Sequence, residues 1–153
     1  MKDGAGVATA SQTVGPFFHV GLQPQPARQA DPTVTLALKV SDGDGQPVED
    51  ALIELWTSNA FARMATGRDG TCECQIGRAS HINVCFFARG LLRQLHTRIY
   101  FAGDPAVESD PVFTLVPDAR RQTLLAYPDP QWPGRWMFHL RLQGSHETVF
   151  FDI

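Results

Sequence analysis

The chain has 153 residues, of which 43% are hydrophobic and 19% are charged, and its formal net charge is −3. This composition is typical of one globular domain with a core of its own, and it excludes an intrinsically disordered chain. The slightly negative charge, without a long basic run, also disfavours nucleic-acid binding, which needs clustered Lys and Arg.

Residues 1–32 are rich in Gly, Pro, Ala and Gln and are predicted to form an N-terminal arm that lies across a surface. Within it, only 14–20 looks anchored, because this stretch holds several bulky apolar side chains. No apolar segment follows Met1, and no apolar run approaches the ~18 residues of a membrane span. We therefore expect neither a signal peptide nor a membrane segment.

Residues 33–153 predict a single all-β domain, an antiparallel β-sandwich built from about seven short strands. Polar and apolar residues alternate at period two in most of them, and turns such as 42–45 and 66–70 separate them. Residues 117–126 predict at most one short helix. The predicted strands cover 33–40, 51–56, 71–76, 81–88, 95–101, 136–142 and 148–153.

The three cysteines, Cys72, Cys74 and Cys85, predict reduced thiols in a cytoplasmic protein, because their number is odd and no secretion signal precedes them. Cys72 and Cys74 are one residue too close together for a redox C-x-x-C motif. On a strand, residues two apart point to the same face, so this pair is predicted to face the core.

The run 80–84 has the setting of a metal site without its full set of ligands. A His-x-His pair on a strand aims two imidazoles at one ion, but here His81 is followed two residues later by Asn83. A neutral amide is a poor ligand for a transition metal beside an imidazole. The alternative is that His81 is a buried, hydrogen-bonded histidine and that Asn83 fills a vacated site.

Four segments, taken together, resemble the intradiol ring-cleavage dioxygenases, and among these the alpha subunits of the two-subunit enzymes. The arm motif Ser-Gln-Thr-x-Gly-Pro and the closing motif Gln-Gly-x-x-Glu-Thr-Val-Phe-Phe-Asp are the most specific. The turn Asp-Gly-x-Gly-x-Pro-Val is weaker, because other transthyretin-like sandwiches also contain it. The segments are 11–17, 42–48 with 51–56, 80–90 with 95–101, and 138–152.

The resemblance implies a transthyretin-like sandwich, a hetero-oligomer and an iron-dependent reaction. In this family, alpha and beta subunits share the fold, and non-haem Fe(III) is held by two Tyr and two His of the beta subunit. The enzyme uses dioxygen to cleave protocatechuate or a related catechol to a muconate, a step of aromatic-compound catabolism. The alpha subunit has no metal and contributes to the wall of the beta subunit's substrate pocket.

Carried over residue by residue, the resemblance implies that this chain binds no iron. His81 matches the first His ligand of the catalytic subunit, and Asn83 stands where the second lies. The ligand tyrosines would fall between Trp56 and His81, where this chain has no Tyr. Tyr100 matches a tyrosine that is not a ligand in either subunit type.

The resemblance also implies that Gly15, Pro16 and Arg89 line the partner's substrate pocket. Gly permits close backbone approach, Pro fixes a bend, and a guanidinium binds carboxylate oxygens of a carboxylated catechol. Each of these assignments has an alternative. Gly15 and Pro16 could instead form a simple loop bend, and Arg89 could instead make an intersubunit salt bridge.

The chain departs from the alpha pattern by being shorter, chiefly between Leu22 and Thr33 and between Trp56 and His81. Arg78 stands three residues before His81, as an arginine does in the catalytic subunit, and the sequence does not indicate where it points.

Two further hypotheses concern a chain that acts by itself. In the first, it is a stand-alone binding module for small aromatic acids, without turnover. In the second, it is a self-sufficient enzyme that uses another metal, held by His19, His81 and His96 if the fold brings them together.

Overall fold

The computed structural model of the chain describes residues 10–15, 22 and 33–152. Within these residues no helix is long and apolar enough to span a bilayer. Two 3-10 turns, Val107–Ser109 and Gln122–Leu124, flank the short α-helices. The strands and helices are β1 (Thr33–Ser41), β2 (Leu52–Trp56), β3 (Phe61–Ala65), β4 (Thr71–Gly77), β5 (Ile82–Phe87), β6 (Leu95–Phe101), α1 (Pro111–Leu115), α2 (Asp118–Arg121), β7 (Leu125–Pro128) and β8 (Arg135–Arg141).

The eight strands form one sheet in the order β3-β2-β5-β6-β7-β8-β1-β4. It folds into two facing halves, β3-β2-β5-β6 and β7-β8-β1-β4, which are joined by a two-residue pairing of β6 with β7. The end strands β3 and β4 also approach each other, so the sheet nearly closes on itself. Two of the pairings, β1 with β8 and β6 with β7, are parallel.

The main core lies between the two halves and follows from the period-two alternation of the strands. On β1, Leu36, Leu38 and Val40 are at most 2% exposed, and the residues between them face outward. β5 contributes Val84 and Phe86 to the same core. Burial of such side chains stabilises the fold by about 1.5–3 kcal/mol each.

A second, smaller core lies on the outer side of β6 and positions the candidate site. Tyr100 points outward from β6 but is completely buried, because the segment 107–124 packs over it. Phe113 of α1 contacts its ring edge-on, with ring centroids 4.9 Å apart. The segment 107–124 therefore covers the outer face of β6 at Tyr100.

The predicted all-β sandwich is confirmed, but several details of the prediction are wrong. β3 was not predicted, because its five residues include two alanines and an arginine and carry only a weak apolar signal. The helical region contains two short α-helices rather than one, and Leu125–Pro128 is a strand. The predicted last strand is a single bridge between Phe151 and His96, and the sandwich is not wholly antiparallel.

The turn before β4 makes a specific prediction about glycine. Gly70 has a φ of +71°, and a Cβ there would lie 2.5 Å from the Val40 carbonyl oxygen. We expect Gly70→Ala to lower the free energy of unfolding by about 3 kcal/mol. The alanine would hold a strained left-handed backbone conformation, and its Cβ would collide with the Val40 carbonyl oxygen. Gly45 is the matched control, because its φ is +79° but its Cβ would meet nothing within 4 Å.

Gly45→Ala is therefore expected to lower the free energy of unfolding by about 1 kcal/mol, because only the strain of the left-handed backbone conformation is added. Urea unfolding of the two variants measures the difference. Equal losses would show that the close approach to Val40 does not constrain residue 70.

Candidate functional site

His81 and Asn83 lie at the start of β5, where each is engaged by its own neighbours. The Nδ1 atom of His81 is 3.3 Å from the Ser80 hydroxyl and 3.5 Å from Oδ2 of Asp110. The Asn83 side-chain amide donates to the Trp56 carbonyl oxygen across 3.5 Å. Asn83 therefore turns toward the neighbouring strand β2, while His81 turns toward the helical segment.

Asp110 is the centre of a polar cluster on this outer face. Its Oδ1 accepts hydrogen bonds from the backbone N–H groups of Val112 and Phe113, at 2.8 and 3.0 Å, and so caps α1. The same oxygen accepts from the Tyr100 hydroxyl at 3.0 Å. Arg98 completes the cluster, with Nη1 lying 3.6 Å from Asp110 Oδ1 and 3.4 Å from the Tyr100 hydroxyl.

The charges of the cluster follow from burial and these contacts. Burial opposes ionisation of Asp110, but the hydrogen bonds that it accepts and the Arg98 charge outweigh this and lower its carboxyl pKa. Burial and the Arg98 charge lower the pKa of His81, against the attraction of Asp110. Burial raises the pKa of Tyr100 to about 12. At neutral pH the site therefore holds a carboxylate, a guanidinium, a neutral imidazole and a protonated phenol.

These residues do not fit a ferric ion. Asn83 offers an amide, and the protonated Tyr100 hydroxyl donates a hydrogen bond to Asp110 instead of offering a phenolate. The Arg98 guanidinium adds a fixed positive charge beside the one carboxylate, which repels a metal cation. In the part of the chain that the structure describes, no three His, Cys, Asp or Glu side chains are grouped to hold a metal.

The hypothesis of a three-histidine site is not supported by the placement of its described members. In the register of β5 and β6, His96 lies opposite Cys85, whereas His81 is level with Tyr100. The two histidines are therefore separated by four strand positions, about 13 Å. His19 lies outside the described residues.

Arg89 lies just beyond the other end of β5, beside the arm. Its Nη2 is 3.9 Å from Oε1 of Glu49, and both side chains are 50% exposed. The Thr13 hydroxyl accepts a hydrogen bond of 2.7 Å from the Gly90 N–H, which ties the arm to the residue after Arg89. Gly15 is exposed and an added Cβ would meet nothing within 4 Å, so nothing within the described chain requires a glycine there. Pro16 lies outside the described residues.

The predicted site residues thus form two separate groups. The arm and Arg89 lie at one end of β5 and His81 at the other, eight residues or about 26 Å apart. The Thr13–Gly90 hydrogen bond brings the arm, two residues before Gly15, beside Arg89, and the structure does not bring either to His81 and Asn83.

Arg78 points away from His81. Its guanidinium lies over the Phe101 ring at 4.4 Å and the Trp136 ring at 4.9 Å, and it pairs with Asp104 at 3.2 Å. This arginine therefore fixes the loop after β6 to the sheet, through cation–π contacts and an ion pair.

The cysteines are free thiols. Cys72 and Cys74 pack against the main core, as predicted, and burial raises the pKa of each to about 12. Burial raises the pKa of Cys85 to about 11. None of the three is therefore a thiolate at neutral pH.

Arg98 and Asp110 are the site residues that the sequence analysis missed. Asp110 precedes Pro111, and an Asp followed by Pro at the first helical position is a helix-start signal. Nothing in the sequence indicates that this carboxylate meets Arg98 and Tyr100.

Two alpha chains of known enzymes are similar to this chain over nearly its whole length. The protocatechuate 3,4-dioxygenase alpha chain of Burkholderia cepacia is 38% identical over 192 aligned residues, which cover 95% of this chain and 97% of the relative. The corresponding alpha chain of Pseudomonas putida is 31% identical, covering 94% and 96%. The alignments are longer than the 153 residues of this chain, so they contain gaps in it, as expected for a shortened chain.

More distant relatives agree with these. The protocatechuate 3,4-dioxygenase beta chain of Burkholderia cepacia is 23% identical over 82% of this chain and 69% of its own length. No family model matches the sequence.

Solved structures of dioxygenases share the fold. The dioxygenase domain of a carbohydrate-binding fusion protein from Streptomyces sp. SirexAA-E has a TM-score of 0.58 at 23% identity, covering 92% of this chain and 99% of that domain. The 3-chlorocatechol 1,2-dioxygenase of Rhodococcus opacus 1CP has a TM-score of 0.61 at 16% identity, covering 76% and 62%.

Proposed function

The chain belongs to the intradiol ring-cleavage dioxygenases, in the alpha-chain branch of the protocatechuate 3,4-dioxygenases, and on this premise we propose that it is the non-catalytic subunit of a heteromeric enzyme. The enzyme cleaves protocatechuate or a related catechol to a muconate with dioxygen. Its iron-bearing beta subunit supplies the ferric centre, and this chain supplies part of the pocket wall.

The observation that carries this proposal is the composition of the cluster on β5 and β6. A metal site in this position needs anionic ligands, and the chain offers an amide at Asn83 and a guanidinium at Arg98. Its one carboxylate, Asp110, is occupied by the helix cap and the Tyr100 hydroxyl. These contacts support the assignment of the redox chemistry to the partner chain.

The contribution of this chain is assigned to Arg89 and to the arm. The Arg89 ion pair is long and half-exposed, and such pairs contribute about 0–1 kcal/mol, so its guanidinium is free to bind another carboxylate. The arm is tied beside it through Thr13 and Gly90. Among the described residues nothing lies within 4 Å of a Cβ added at Gly15, which leaves room there for the close approach of a partner's backbone or a substrate.

We also assign the assembly to the cytoplasm, since its free cysteines remain reduced there. A cell-fractionation experiment in the source organism tests this assignment.

Co-expression with a beta-like chain that carries two Tyr and a His-x-His motif tests the proposed function. We expect the two chains to co-purify and to cleave protocatechuate with uptake of one dioxygen per ring. A beta-like partner expressed alone is the control. The proposal is wrong if no beta-like chain co-purifies with this chain. It is also wrong if the complex turns over protocatechuate no differently from the beta-like partner alone.

A further inference from the structure

A cleft of about 620 Å³ lies on the outer face of the half-sheet β7-β8-β1-β4, away from both groups of predicted site residues. We propose that this cleft binds a small planar organic anion, and that an aromatic carboxylate is the ligand class that it fits. Pockets for small molecules commonly have volumes of 300–1,000 Å³. The inference does not depend on the proposed function, because the cleft belongs to this chain alone.

The floor of the cleft is largely apolar. Ala37 lies opposite Met137 in the register of β1 and β8, and Met137 lies opposite Tyr127 in that of β8 and β7. Met137 is 41% exposed and Tyr127 48% exposed, although both are large apolar side chains. The small Ala37 and the segment that contains Thr123 and Leu125 also line the cleft. An aromatic ring is the kind of group that such a floor desolvates.

One end of the cleft is basic. Lys39 lies opposite His139, and Arg141 follows two residues later on the same face of β8. Neither Lys39 nor Arg141 takes part in an ion pair within the described residues. The charge of Lys39 does contribute to the lowered pKa of Asp69. A carboxylate bound between these two cations would gain charge-assisted hydrogen bonds from both.

At the opposite end of the cleft, one cation faces two carboxylates. Arg135 pairs with Glu73 at 2.8 Å and with Asp129 at 2.7 Å. The uncompensated positive charge is thus confined to the end with Lys39 and Arg141, and this polarity orients a ligand with one anionic end.

The pKa of His139 can be used to detect binding at this site. Its Nε2 lies 2.9 Å from the Ser41 hydroxyl. Burial, followed by the charges of Arg141 and Lys39, lowers the pKa of its imidazole to about 4. An anion bound between the two cations would offset their charges and raise that pKa, so a change in the titration of His139 identifies binding at this place.

The arrangement favours an aromatic carboxylate over other ligands with the same charge. Inorganic phosphate would use the two cations but leave the apolar floor exposed to water. An uncharged aromatic compound would cover the floor but leave the cations without a partner. Only a ligand with both parts uses the whole cleft.

The experiment titrates the full chain with benzoate, in whichever assembly it purifies, and follows the imidazole resonances of His139 by NMR together with calorimetry. We expect saturable binding, a rise in the pKa of His139, and at least tenfold weaker binding of benzyl alcohol and of inorganic phosphate. The double variant Lys39→Gln/Arg141→Gln is expected to weaken benzoate binding by at least tenfold, and Ala37→Leu, which fills the floor, by a similar factor.

Arg93→Gln is the matched control, because Arg93 is exposed and lies outside the cleft, in an ion pair with Asp152. It should leave the benzoate affinity unchanged. The proposal is overturned if His139 does not respond to benzoate at about 10 mM, if the double variant binds as tightly as the native chain, or if a co-purified partner chain excludes the ligand from the cleft. These readouts do not involve ring cleavage, so a failure here is distinguishable from a failure of the proposed function.

Discussion

Replacement of Asp110 by alanine is expected to lower the free energy of unfolding by about 3 kcal/mol. The change removes the cap of α1, a loss that costs about 0.5–2 kcal/mol. It also leaves the buried hydroxyl of Tyr100 without its acceptor, which costs a further 1–3 kcal/mol or so. Because Tyr100 anchors the second core, we expect the segment 107–124 to loosen with it.

Two control variants separate these contributions. Asp110→Asn keeps an oxygen that can accept from the cap N–H groups and from Tyr100, and loses only the charge facing Arg98, so a smaller loss of about 1 kcal/mol is expected. Asp118→Ala removes an exposed carboxylate in the first turn of α2 and should change stability little. Urea unfolding and hydrogen exchange of residues 107–124 measure all three. A loss for Asp110→Ala no greater than that for Asp118→Ala would contradict the structure of the cluster.

Replacement of Arg89 by glutamine in the assembled enzyme is expected to raise KM for protocatechuate about 10- to 100-fold. The charge-assisted hydrogen bond proposed for Arg89 contributes roughly 1.5–3 kcal/mol, and about 1.4 kcal/mol corresponds to each factor of ten. We expect kcat to change much less, because the carboxylate is remote from the bond that breaks. Steady-state kinetics of the co-expressed complex measure both constants.

The uncharged catechol is the matched substrate control, because it has no carboxylate for Arg89 to bind. Its KM should be the same for the native and the Arg89→Gln enzyme. The half-exposed Glu49 pair is weak, so unfolding of the variant should also match that of the native chain. An equal rise in KM for both substrates would assign Arg89 to subunit pairing instead of substrate binding.

The sequence predicted the sandwich because the strands carry their own signal. In β1 and β8, apolar and polar residues alternate cleanly, since one face meets the core and the other faces outward. β3 was not predicted because a strand of five residues, two of them alanine, has little periodicity to detect. The helical segment was predicted incorrectly because Pro117 and the caps divide it into single turns. A single turn is too short to show the 3.6-residue periodicity by which a helix is identified.

The candidate sites were predictable only where the residues are close in sequence. His81 and Asn83 were found because a spacing of two on a strand is visible in the sequence. Arg98 and Asp110 meet only because the loop after β6 turns back over Tyr100. The cleft on the other half-sheet depends on the parallel pairing of β1 with β8, whose partners are about a hundred residues apart.

We propose that no ferric site forms from the described residues of this chain and that it acts through a partner that holds the iron, and iron analysis decides between this division of roles and its opposite. The measurement is the iron content per chain of the isolated chain and of the co-purified complex, together with the visible absorption of each. We predict no bound iron in the isolated chain, and in the complex one iron per beta chain, with a ferric–tyrosinate band that disappears when a ligand tyrosine of the partner is replaced. Stoichiometric iron in the isolated chain, with cleavage of a catechol, would contradict the account.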